Sequence, residues 1–136
     1  MGFEGGCLCG AVRFESKVDA SVKGDCYCVD CRKSSGTAHC SHLMVPEDAF
    51  RIEGEVRFFD KPADSGNMVS RGFCPTCGSA VYSKNSGMPG MVFPRASALD
   101  DPEVFSAQMV VYASRAPSWA RLPEDVPIFQ LMPSGD

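Results

Sequence analysis

Three short stretches hold seven of the eight cysteines in this 136-residue chain. CLC supplies Cys7 and Cys9, CYCVDC supplies Cys26, Cys28 and Cys31, and CPTC supplies Cys74 and Cys77, while Cys40 stands apart. Thiols at such spacings can cross-link, cycle as a redox pair or bind a soft metal ion. The opening MGFEGGCLCG has neither the basic segment nor the apolar run of a secretory signal. A reducing, cytoplasmic setting is therefore expected, where metal binding or catalysis is favoured over disulfides.

CPTCG is the sharpest local signal. Two cysteines two residues apart on a tight turn aim both sulfurs at one point, and Gly78 permits the backbone to turn its amides towards them. Strand-like segments on either side make it a knuckle at a hairpin tip. A closed tetrahedral zinc site needs four ligands, and CLC offers the other two. Cys7 and Cys9 flank one residue, which in an extended chain puts both on one face. Cys7, Cys9, Cys74 and Cys77 are thus expected to hold a structural zinc whose binding free energy supports folding.

CYCVDC has a different arithmetic. Cys26, Cys28 and Cys31 are close enough for one ion, and no fourth ligand lies within the motif. Three protein ligands are typical of a catalytic zinc, which keeps a position for water or substrate. A sulfur substrate there would bind as its thiolate, and an ion held by three thiolates is the more labile of the two. The next residues, Arg32, Lys33 and Ser34, are expected to contact a substrate carboxylate or amide on a flexible turn, RKSSGT. Cys40, His39 or His42 could instead close the set, although the two histidines, three apart in a strand, face opposite ways. Trp119 is expected to pack in the core or a lid, and Met88, Met91 and Met109 to fill gaps.

Around these ligands the chain reads as one domain, 1–136, of short strands and turns. AVRFE (11–15), EVRFFD (55–60), NMVSRGF (67–73), SAVYSK (79–84) and AQMVVYASR (107–115) have strand character, HCSHLMV (39–45) less so; PEDAF (46–50) and DDPEVFS (100–106) look like single helical turns. With almost no long helix, an all-β fold of stacked sheets is predicted. A formal charge of −4 argues against nucleic acid, and no apolar stretch approaches the roughly 20 residues of a membrane helix.

GGCLCG, CYCVDCRKSSG and FCPTCGSAVY, in that order from about Gly5 to the tail near Pro133, resemble the glutathione-dependent formaldehyde-activating (GFA, or CENP-V/GFA) family. The resemblance implies an Mss4-like fold of zinc-stapled sheets. It also implies a structural ion on Cys7, Cys9, Cys74 and Cys77, and a catalytic-type ion on Cys26, Cys28 and Cys31. The activity it implies is that of a carbon–sulfur lyase joining glutathione, or a similar thiol, to formaldehyde or another small aldehyde. Tyr27 stands where many members carry His, and Cys40 is not part of the family pattern. A non-catalytic, zinc-stabilised binding module is the alternative. A methionine-sulfoxide-reductase-type enzyme would want a nucleophilic cysteine on a late strand, and none follows Cys77.

Overall fold

The structure, a computed structural model, describes residues 2–133; Met1 and residues 134–136 of the expected domain lie outside the described residues. The strands are β1 (Phe3–Gly6), β2 (Arg13–Ser16), β3 (Val22–Cys26), β4 (Cys40–Pro46), β5 (Phe50–Glu53), β6 (Arg57–Pro62), β7 (Met68–Phe73), β8 (Ala80–Asn85), β9 (Met91–Pro94) and β10 (Met109–Val111). One α-helix among the described residues, α1 (Val29–Ser35), joins β3 to β4. The all-β prediction holds. PEDAF and DDPEVFS each contain a single 3₁₀ turn, at Glu47–Ala49 and Pro102–Val104.

β1, β2 and β5 form a three-stranded antiparallel sheet, and a seven-stranded sheet runs β10-β3-β4-β9-β8-β7-β6. Among the named strands only the β10–β3 pairing is parallel, and an isolated parallel bridge joins Val110 to Ile128. The main core joins both sheets: Phe3, Val12 and Phe14 from one side meet Leu43, Val45, Val81 and Val92 from the other. Val12, Leu43, Val45, Val81 and Val92 have no measurable exposure, each worth roughly 1.5–3 kcal/mol of apolar burial. A ladder of rings, Phe14–Phe50 at 5.4 Å and Phe50–Tyr82 at 5.0 Å, bridges the sheets.

Several local expectations change. CLC is not extended: Gly10 N–H donates to Cys7 O at 3.2 Å and Cys7 N–H to Val12 O at 3.0 Å, so the pair sits on the turn between β1 and β2. RKSSGT is not a flexible turn, because most of it is the last part of α1. That helix is capped at Cys28, whose Sγ accepts the Cys31 N–H, and ends at Gly36, whose φ of 85° is the left-handed conformation glycine adopts freely. Trp119 is 63% exposed and belongs to no core. The tail instead returns beside β10, where Phe129 N–H donates to Val110 O at 2.8 Å.

Register decides what shares a face of the large sheet, since directly paired residues point the same way and alternate along each strand. Cys26 pairs with Cys40, and His42, two residues on, bridges Arg95. Phe93, two residues before Arg95, pairs with Ser83, which pairs with Arg71, which pairs with Phe59. Cys26, Cys40, His42, Arg95, Arg71 and Phe59 therefore occupy one face, a grouping that no linear motif announces.

Candidate metal centres

The turn between β1 and β2 and the knuckle between β7 and β8 bring Cys7, Cys9, Cys74 and Cys77 together, all four sulfurs lying within 4.8 Å of one another. Cys7 to Cys9 is 3.6 Å and Cys9 to Cys74 is 3.8 Å. Zn–S bonds of ~2.3 Å in a tetrahedron set sulfurs about 3.8 Å apart, so this donor set fits a closed zinc site. Backbone donors already face it. Val12 N–H reaches Cys7 Sγ at 3.2 Å and Thr76 N–H reaches Cys74 Sγ at 3.4 Å. Ser79 accepts the Leu8 N–H at 3.0 Å and sits 3.2 Å from Cys77 Sγ, joining turn to knuckle. Hydrogen bonds from the Ser79 hydroxyl and amide draw the Cys77 thiol down to about 5. For Cys9 the Ala11 amide favours the thiolate, but Cys7, burial and the other two cysteines push it up to about 11.

The second cluster, Cys26, Cys28 and Cys31, also has its sulfurs within 4.8 Å of one another. Cys26 ends β3, Cys28 caps α1, and Cys31 lies one turn in, so the chain between strand and helix sets the spacing. Hydrogen bonds from the Cys26 and Cys31 thiols, then the Cys31 amide and the charge of Arg71, pull Cys28 down to about 2 against its burial. Donating to Cys28 pushes Cys26 up to about 12, and donating to Cys26, Cys28 and Cys40 pushes Cys31 up. Three thiol donors of this kind suit a divalent soft metal, with one coordination position left over.

Cys40 and His42 do not complete that set; they form another with Cys31, which the two sets share. His42 Nε2 is 3.6 Å from Cys31 Sγ, whereas Cys40 Sγ accepts a bond from Arg95 Nη1 at 3.1 Å. His39 faces away, as its spacing predicts: its Nε2 is 3.7 Å from Asp25 Oδ1 and its ring lies 4.8 Å from that of Tyr27. Tyr27 is fully buried in a second core with Ala38 and Val110, and its hydroxyl donates to Arg121 O at 3.3 Å. It anchors the tail rather than serving the thiols.

A cavity of about 210 Å³ is lined by Ser34, Phe59, Arg71, Phe73 and Arg95, among others, and by no cysteine; Arg95 and Ser34 connect it to Cys40, at 3.1 and 3.9 Å from its Sγ. Of the three residues expected to contact substrate, Ser34 lines it, while Arg32 and Lys33, in the last turn of α1, do not. Arg71 and Arg95 were not anticipated. The available signal was weak: each is the one charged residue of its segment, NMVSRGF and MVFPRASAL.

Fold and clusters agree with comparison to known proteins. Residues 2–115 match the family described as glutathione-dependent formaldehyde-activating enzyme, and the chain belongs to that family. A Halomonas elongata protein provisionally named glutathione-dependent formaldehyde-activating enzyme is 33% identical over 105 residues, covering 74% of this chain and 67% of that protein. A crystal structure of a Rhodobacter sphaeroides protein superposes with a TM-score of 0.59 at 20% identity, over 74% of this chain and 92% of that one. That likeness is one of fold. No helix among the described residues is long and apolar enough to cross a membrane.

Proposed function

We propose that this chain is a carbon–sulfur lyase that joins a small aldehyde to a glutathione-like thiol, and the reverse. Cys26, Cys28 and Cys31 hold the catalytic-type zinc, and Cys7, Cys9, Cys74 and Cys77 hold the structural one. The observation that carries this is a three-thiol set with no fourth thiol in mutual reach, where the other cysteine cluster is a closed four. Bound at the three thiols, zinc would keep an incoming sulfur deprotonated at neutral pH. In the addition, a C–S bond forms between the thiol sulfur and the aldehyde carbon as the carbonyl π bond breaks, and the proton lost from sulfur ends on the carbonyl oxygen.

The chain's own part is binding and orientation, which suffice for an electrophile as strong as formaldehyde. Cys26, Cys28 and Cys31 would hold the ion as thiolates, α1 fixes Cys28 relative to Cys31, and Ser34 lines the cavity. Arg32 and Lys33 contribute positive potential from the last turn of α1. A reducing compartment such as the cytoplasm keeps these thiols competent.

The test is zinc per chain on protein purified without chelator, then ¹³C NMR of formaldehyde with glutathione. About two zinc ions per chain and adduct formation faster than the uncatalysed rate are expected. An enzyme with two ions and no rate advantage sinks the proposal. A binding module with a closed second site has one observation in its favour, the 3.6 Å approach of His42 to Cys31. In that case His42→Ala would lose an ion, and added thiol would leave the spectrum of the cobalt-substituted protein unchanged.

A further inference from the structure

Among the described residues, three buried side-chain nitrogens lack any hydrogen-bond partner: His42 Nδ1, Arg71 Nε and Arg95 Nε. All three residues lie on the face of the large sheet that carries Cys26 and Cys40. Leaving such a group unpaired is destabilising, and two guanidiniums with no carboxylate partner leave positive charge for an anion to balance. Arg95 is 3% exposed. No carboxylate lies within 4.0 Å of either guanidinium among the described residues; Arg95 has Cys40 Sγ, and Arg71 has no side-chain bond at all.

Both arginines line the 210 Å³ cavity, no acidic residue does, and Phe59 and Phe73 provide apolar walls. At ~30 Å³ per water the space equals roughly seven waters, enough for one glycine-sized carboxylate arm. Ser34 lines the cavity and reaches to 3.9 Å from Cys40 Sγ. Lys61, 3.0 Å from Asp30, ties β6 to α1 across this side of the molecule. A planar guanidinium matches a carboxylate in geometry as well as charge.

We infer that this cavity is a carboxylate-recognition pocket, in which Arg71 and Arg95 bind the acid group of the thiol substrate while its sulfur is held at Cys26, Cys28 and Cys31. The inference deepens the proposed function and rests on it for the sulfur, but not for the carboxylate. It replaces Arg32 and Lys33 as the expected anion contacts. The carboxylate accepts from the guanidinium groups that line the cavity, and Arg95 keeps its bond to Cys40.

Four probes separate the parts, titrated calorimetrically into the zinc-loaded protein: glutathione, its diethyl ester, S-methylglutathione (acid without a free thiol) and 2-mercaptoethanol (thiol without an acid). Glutathione is expected to bind about 10-fold or more tighter than its ester. Arg71→Met, with wild-type zinc content and circular dichroism, is expected to lose about that factor for glutathione and S-methylglutathione. It should leave the ester and 2-mercaptoethanol within about twofold, and Arg71→Lys should fall between. Equal binding of glutathione and ester by the wild type overturns the pocket whatever the variants do. So does a Met variant that weakens all four probes alike. If 2-mercaptoethanol does not bind but S-methylglutathione binds through Arg71, the pocket stands and the thiol chemistry falls.

Discussion

The two cysteine clusters use the same donor atom and differ in how the chain delivers it. In the quartet, Cys9 and Cys74 are 65 positions apart and 3.8 Å apart in space, joining the turn of the small sheet to a hairpin tip of the large one. In the triad, all ligands fall within six residues, already positioned by the end of β3 and the cap of α1. An ion at the quartet would close a long loop, so its binding is largely folding free energy. An ion at the triad would gain a site that the fold had largely made. On the proposed reading, separation along the chain would thus distinguish a metal that builds the protein from one that the protein displays.

The largest effect should come from breaking the quartet. Cys74→Ser replaces a fully buried thiol of the quartet and, if the quartet holds zinc as proposed, should cost on the order of 5 kcal/mol or more, since structural zinc sites contribute ~10–16 and whole domains have about 5–15. Calorimetry should then show no cooperative melt. A variant melting within a few degrees of wild type would end the distinction between the clusters. Cys28→Ser should do the opposite. Serine is itself a good N-cap, so α1 keeps its first turn and the melt should shift little. Zinc should fall by about one ion per chain and adduct formation by at least about 100-fold. Plasma emission spectrometry and the formaldehyde NMR assay read the two losses.

How far the sequence carried the structure depended on whether the information was local. Ligand spacing is local, and both clusters assemble as the motifs suggested. Alternation is local, and β2, β7 and β8 fall where Val12, Phe14 and their counterparts placed them. β1 (FEGG) and β3 (VKGDC) contain glycine and charge where strand formers belong, and their strand state comes from their neighbours: Gly24 pairs with His42 because Cys26 pairs with Cys40. α1 hid behind Ser34, Ser35 and Gly36, which read as a turn until Cys28 is seen capping the helix. Arg71 and Arg95 were illegible for a deeper reason. A charge in a strand usually points to water, and only the register across four strands sets these two beside the cysteines.

Cys40 gives the next test. It sits 3.1 Å from Arg95 Nη1, is 3% exposed, and belongs with Cys31 and His42 rather than with Cys26 and Cys28. Cys40→Ala should leave zinc content unchanged and destabilise by about 1–3 kcal/mol, because the buried Arg95 loses its partner. Chemical denaturation measures the second and metal analysis the first. Loss of an ion would mean that Cys40 closes the triad, making the two clusters alike.

The smallest effect sharpens the comparison from the quartet side. Arg13 on β2 and Asp100, just past Leu99, form a two-pronged ion pair, with Nη1 2.9 Å from Oδ1. Like the quartet, the pair ties the small sheet to a distant part of the chain. Both side chains are nearly half exposed, however, and exposed pairs contribute little. The Arg13 guanidinium holds the Asp100 carboxyl below its ordinary value of 3.8. Its folded value thus lies below the unfolded one, so the pair's stabilisation is present above the unfolded value and is lost as pH falls through the folded one. Asp100→Asn should therefore lower the melting temperature slightly at pH 7, and the gap should close in strong acid. A drop at pH 7 rivalling that of Cys74→Ser would move the tie between the sheets from metal to ion pair. A gap that widened in acid would mean that Asp100 acts through its hydrogen bonds rather than its charge.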